Sequence, residues 1–100
     1  MIIKEHKTRS GNIIAICDSS IIGKKFVEGD AVLDLSSDFY RGKKSSKEEI
    51  LSKCKKAYII NAVGEETINL LLSQKIISEK NIIKVQGIPF AQCILIENEK

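Results

Sequence analysis

A thiolate beside an imidazole is the simplest nucleophilic pair a short chain can build. This chain has one histidine, His6, and three cysteines, Cys17, Cys54 and Cys93. A two-residue turn at Ser10-Gly11 would pair His6 with Ala15 and Lys4 with Cys17. His6 and Cys17 are then diagonal neighbours, roughly 7–8 Å apart at Cβ, too far for a direct hydrogen bond. Nothing near Cys17 in the sequence lowers its thiol pKa, so it reads more simply as a small buried hydrophobe at a strand end. The cysteines are 37 and 39 residues apart, with no C-x-x-C or H-x-x-x-H pattern, so no zinc site is encoded. Val63-Gly64-Glu65 could open a helix onto a phosphate, but Glu65 and Glu66 would repel it. Neither G-x-x-x-x-G-K-[ST] nor G-x-G-x-x-G occurs. Asp34 with Asp38, Glu48 with Glu49, Glu65 with Glu66 and Glu97 with Glu99 are carboxylate pairs. They read as solvated or cap-forming acids, because acid–base work needs convergence in a cleft. Gly87-Ile88-Pro89 is a place for a cis bond with Gln92 beyond it as a ligand contact, or simply a turn between strands with Phe90 in the core.

The charge distribution carries a stronger signal. The chain has 16 Lys and Arg against 13 Asp and Glu, a net charge of +3. The excess sits in residues 41–56, where Arg41, Lys43, Lys44, Lys47, Lys53, Lys55 and Lys56 face only Glu48 and Glu49. Phe39-Tyr40 immediately precedes them, and Gly42 lies among them. Cations for phosphates and flat rings for bases are what a nucleic-acid contact requires. The plainer alternative is a solvated lysine face with Phe39 and Tyr40 as core anchors. No RNP-like aromatic strand and no helix-turn-helix spacing is present.

These residues need elements to hold them. Residues 2–8 and 12–17 read as a hairpin, with β-branched Ile13, Ile14 and Ile16 beyond Ser10-Gly11-Asn12. Asp18 is placed to cap a short turn over Ser19-Ser20-Ile21-Ile22, ended by Gly23. Phe26-Val27 and Ala31 to Leu35 are strands broken at Glu28-Gly29-Asp30, and 36–44 is a polar loop. Ser46-Lys47-Glu48-Glu49 is a capping box. In the helix it opens, Ile50, Leu51, Cys54, Ala57 and Tyr58 share one arc, and Glu49 supports Lys53 at i,i+4. Tyr58-Ile59-Ile60 is a buried strand or helix end, and Asn61 to Gly64 a junction. Glu65 to Ile76 is a second helix, with acids in its first turn. Ile82 to Val85 and Cys93 to Ile96 are the last strands. The sum is one α+β domain over 1–100, about six short strands with two main helices packed on one sheet face.

Composition fits that class. With 43% apolar and 29% charged residues, the chain is globular rather than disordered. No run approaches the roughly 20 apolar residues of a membrane span, and the first residues lack a signal-peptide core. The odd, sparse cysteines suggest a reducing compartment, so the expected location is the cytoplasm.

Five junction patterns, in order over roughly residues 3–96, resemble a small archaeal family, domain-of-unknown-function family 424. They are Cys17-Asp18, Phe26-x-Glu28-Gly29, Phe39-Tyr40-x-Gly42, Asn61-x-Val63-Gly64-Glu65 and Gly87-Ile88-Pro89-Phe90-Ala91-Gln92. The resemblance implies an archaeal cytoplasmic α+β domain and carries over no activity. The family usually has histidine where this chain has Phe90, so any chemistry of that histidine is lost here.

Three functional expectations follow. The first is a non-catalytic protein docking on RNA or a ribonucleoprotein, associated with the ribosome and translation. Arg41, Lys43, Lys44, Lys47, Lys53, Lys55 and Lys56 would meet phosphates, and Phe39 or Tyr40 would stack or anchor. The second is a protein-interaction adaptor using the junction loops: Phe26, Glu28, Gly29, Asn61, Gly64, Glu65, Gly87, Pro89 and Gln92. The third is a small enzyme or ligand binder around Cys17, Asp18, Asn61 and Gln92. No cofactor, metal or membrane contact is implied.

Overall fold

The chain alternates β-branched runs with short turns, and the computed structural model, which describes residues 1–95, resolves these into eight strands and two helices. The strands are β1 (Ile2–Thr8), β2 (Gly11–Cys17), β3 (Lys25–Glu28), β4 (Ala31–Asp34), β5 (Lys43–Lys44), β6 (Ile59–Val63), β7 (Ile82–Val85) and β8 (Ile88–Ile94). The helices are α1 (Lys47–Lys55) and α2 (Glu65–Ser73). Six strands form one sheet in the order β5-β1-β2-β6-β8-β7, and β3 with β4 forms a separate hairpin. All neighbours in the large sheet are antiparallel except β2 and β6.

The strand count exceeds the expected six or so. β5 lies inside the stretch read as a polar loop, and β6 runs from the residues read as a buried strand or helix end on through those read as a junction. A two-residue edge strand has no periodicity to detect, and a central strand buried on both faces does not alternate. The last hairpin also differs. Its turn is Gln86-Gly87, so Pro89 and Phe90 lie within β8, and no peptide bond among the described residues is cis. The stretch Cys93 to Ile96 thus only ends β8, with Ile96 outside the described residues.

The first hairpin is shifted by two residues from its expected register. Its turn is Arg9-Ser10; His6 pairs with Ile13, and Ile2 with Cys17. The Thr8 hydroxyl bridges the turn by donating to the Gly11 carbonyl and accepting from the Ser10 N–H. Residues opposite each other then share burial: Ile3 with Ile16 on one face and Ile2 with Cys17 on the other.

Both helices pack on the same sheet face, as expected. Ile50 and Cys54 of α1, and Ile68 and Leu71 of α2, cover Ile3, Ile14, Ile16, Ile60 and Ala62. The opposite face is covered too. There the β3–β4 hairpin and the chain at 35–40 bring Leu33, Leu35 and Tyr40 over Ile2, Ala15, Cys17 and Val63. The capping box of α1 forms as expected: Ser46 Oγ accepts from the Glu49 N–H at 3.2 Å, and Glu49 Oε1 accepts from the Ser46 N–H at 3.3 Å.

Helix α2 begins at Gly64, which has no side chain to cap it. The cap comes from the neighbouring parallel strand. Asp18, one residue past β2, accepts from the Glu66 N–H at 3.0 Å, the Thr67 N–H at 2.8 Å and the Thr67 hydroxyl at 2.8 Å. Asp18 therefore does not cap the 3-10 turn over Ser19–Ile21, as its position in the chain suggested. Gly64 is what admits it: its φ is +108°, and a Cβ there would overlap the Asp18 carboxylate.

Asp18→Ala removes the cap and strands the fully buried Thr67 hydroxyl, so it should lower stability by about 2–3 kcal/mol in urea unfolding. Gly64→Ala, which displaces the carboxylate and strains the backbone, should lower it by at least about 2 kcal/mol. Wild-type stability in either variant would refute this account of the junction.

Candidate nucleic-acid interface

The basic residues occupy the β5 flank of the sheet and the helix that leaves it. β5 is an outer strand, paired with β1 only through Ile2–Lys44 and Ile3–Lys43, so Lys43 and Lys44 project to opposite faces. Gly42 lies against β1 so tightly that a Cβ would overlap the Ile3 carbonyl. Its close approach is thus to this chain's own backbone. α1 follows after Ser45-Ser46, with Lys47 in its first turn and Lys53, Lys55 and Lys56 at its far end.

Two of the seven cations have acidic neighbours. Lys53 Nζ donates to Glu5 Oε1 at 3.1 Å, while Glu5 Oε2 accepts from the Asn12 amide at 2.7 Å. Lys53 therefore ties α1 to β1 instead of pairing with Glu49, which is engaged in the capping box. Arg41 lies 3.9 Å from Asp38, both well exposed, an arrangement that contributes little. Lys43, Lys44, Lys47, Lys55 and Lys56 are exposed, and among the described residues none has an acidic partner within ion-pair distance.

The two aromatic residues separate. Tyr40 is 7% exposed and belongs to the core beneath the hairpin; burial pushes its hydroxyl pKa up to about 12. It anchors the loop and offers no face to a base. Phe39 is half-buried, stacked on the His6 ring at 4.5 Å with 10° between planes, and edge-on to Tyr40 at 5.1 Å. His6 Nε2 donates to the Phe39 carbonyl at 2.9 Å, which holds the loop against β1. A sequence alone does not separate adjacent rings that point to core and border.

The nucleophilic pair does not form. His6 pairs with Ile13, four residues before Cys17 and so about 13 Å away along the strand. Cys17 is fully buried; burial first, and the adjacent Asp18 carboxylate second, push its thiol up to about 11. Burial pushes Cys54 up to about 12. Asp18 is committed to α2, so the grouping of Cys17, Asp18, Asn61 and Gln92 loses both its nucleophile and its acid. Among the described residues no cluster of three or more His, Cys, Asp or Glu could hold a metal ion. The Asp34 carboxyl is held below its ordinary value by the Ser36 hydroxyl and then by the Ser36 N–H, so it closes a turn.

The junction patterns gather at one end of the sheet, where β2 and β6 finish and β8 begins. Gly64 N–H donates to the Pro89 carbonyl at 2.9 Å. Glu28 accepts from the Gln86 N–H at 2.6 Å, and the Gln86 amide donates to the Val27 carbonyl at 2.7 Å, tying the β3–β4 hairpin to the β7–β8 turn. Phe26 and Phe90 are half-buried against the core under the hairpin, and Gly29 turns that hairpin at φ +59°. Glu65, Gly87 and Pro89 line a groove of about 580 Å³ beside α2, floored by Ile68, Leu72 and Ile82. Asn61 and Gln92 stand opposite each other on β6 and β8, a pairing 31 residues apart that the sequence does not reveal.

The sequence matches, over residues 6–96, the family described as Protein of unknown function (DUF424). The chain belongs to this family. The DUF424 fold is also seen in the crystal structure of an uncharacterized conserved protein from Methanopyrus kandleri. It superposes with a TM-score of 0.82 at 22% identity, covering 99% of this chain and 94% of that one. At that identity the likeness speaks for the fold alone. Comparison with curated proteins gives no match. Among the described residues of this DUF424 member, no helix is long and apolar enough to cross a membrane.

Thiol chemistry offers a direct check. The native protein should label rapidly only at the half-buried Cys93, with Cys17 and Cys54 reacting after unfolding. Because Cys17 and Cys54 titrate above their ordinary 9.0 when folded, stability should be intact below about pH 9 and fall as pH rises towards 11–12. Three equally fast thiols in the native protein would contradict the burial described.

Proposed function

We propose that this protein is a non-catalytic, cytoplasmic binding protein that docks on RNA or a ribonucleoprotein such as the ribosome through the β5–α1 flank. The observation that carries the reading is the set of five exposed cations, Lys43, Lys44, Lys47, Lys55 and Lys56, that no acidic group neutralises among the described residues. Each phosphate they meet releases condensed counterions, a gain that does not depend on sequence. Phe39 on His6 borders this flank, and its contribution is the apolar edge of a stacked pair rather than a free ring. A protein-adaptor role is the second reading. It is supported by the groove beside α2, where Glu65, Gly87 and Pro89 from two family patterns come together.

Filter binding of a single-stranded RNA across salt concentrations separates the two. Five phosphate contacts predict a slope of roughly −3 to −4 in log affinity against log salt. Lys43→Glu, Lys44→Glu and Lys47→Glu together should abolish retention. RNA binding that survives this triple reversal would assign the wrong surface. Co-purification of one stoichiometric protein partner without nucleic acid would select the adaptor role.

A further inference from the structure

On the sheet face away from the helices, one cross-strand row runs Lys4, Ala15, Asn61, Gln92, each paired in register with the next. At about 4.8 Å per strand the row is about 14 Å long. It is closed over Ala15, and Gln92 at its end is exposed. Asn61 is only 8% exposed, yet its side-chain amide makes no hydrogen bond among the described residues. The sole sealed side-chain polar atom without a partner among those residues is Ser45 Oγ, so the Asn61 amide still reaches solvent. The Tyr40 hydroxyl, over the same face, likewise has no partner among the described residues. A primary amide can make up to four hydrogen bonds, and with no protein partner among the described residues that capacity is open to an incoming group. Its flanking residues on this face of β6, Ile59 and Val63, are apolar and cannot satisfy it.

We propose that Asn61 and Gln92 form a subsite that reads a nucleobase of single-stranded RNA, adenine by preference. The inference rests on the RNA-docking reading and specifies its second half. Each amide presents a donor beside an acceptor, and adenine offers the matching pair on both of its open edges. Charge favours a nucleic acid as the occupant: Lys4 ends the same row, and Lys44 projects from β5 on the same face. In the neighbouring row, Ile13, Ile59 and Ile94 supply an apolar border, with Ile94 55% exposed at its end. The basic flank would therefore hold the backbone while the two amides select the base.

The test is fluorescence anisotropy with a labelled decamer of adenosine and a labelled decamer of abasic ribose phosphate, which carry equal charge. The wild-type protein should bind the adenosine decamer about tenfold more tightly, the range of one bidentate contact. Gln92→Ala, an exposed position whose loss leaves the fold intact, and Asn61→Ala, confirmed folded by thermal melting, should each erase that difference. The salt slope should stay unchanged in both. A preference that persists in either variant overturns the subsite. Equal wild-type affinity for both decamers, with the salt slope present, overturns the subsite but leaves the basic flank. Absence of binding to either decamer at low salt removes the basic-flank reading and the subsite together.

Discussion

The contact between the Asp18 carboxylate and the first turn of α2 organises much of this molecule. A helix that starts on glycine has free N–H groups and a positive end, and both need an acceptor. Here the acceptor arrives from the adjacent parallel strand, 48 residues earlier than Glu66. It fits only because Gly64 has no side chain. One carboxylate thus fixes the ends of β2 and β6 relative to each other and sets where α2 lies on the sheet. The junctions of Phe26, Gly87 and Pro89 then assemble around that fixed point. Four of the five family patterns lie in this region, and Asp18, Glu28, Gly64 and Pro89 from them make the contacts that join it.

That arrangement decides which surfaces are left open to a partner. The sheet is covered on one face by two helices and over part of the other by a small hairpin and the loop anchored by Tyr40. What remains open is the β5 flank and the far rows of the hairpin-side face. The unneutralised lysines occupy the first, and Gln92 lies in the second beside the largely buried Asn61. Lys53 and Tyr40, which sequence alone placed with the binding groups, serve packing: one links α1 to β1 and the other pins the loop.

Local features of the fold were legible in the chain and non-local ones were not. The Ser46 capping box, the apolar arc of α1, the first hairpin and the shared helical face all follow from spacing within a few residues. The register of that hairpin did not, because Gly11 resembles a turn residue while Thr8 closes the actual turn. β5 was missed and β6 only half read for opposite reasons, one too short and polar, the other too uniformly buried to separate strand from helix end. Asp18 shows the same limit: its type announced a cap, but its partner helix depends on which strands become neighbours. For the candidate site, the excess of positive charge was visible in the sequence, whereas the row joining Lys4, Ala15, Asn61 and Gln92 exists only once four strands are aligned.

The single parallel pairing, β2 with β6, also bears on how the chain assembles. Between Cys17 and Ile59 lie about forty residues, and bringing such ends together opposes folding by roughly 3 kcal/mol of loop-closure entropy before any contact compensates. The β1–β2 hairpin and the capped α1 need no such closure and can form from neighbouring residues. Meeting of β2 and β6 is then the step at which distant halves commit to one topology, and its rate is governed by chain connectivity more than by local propensity.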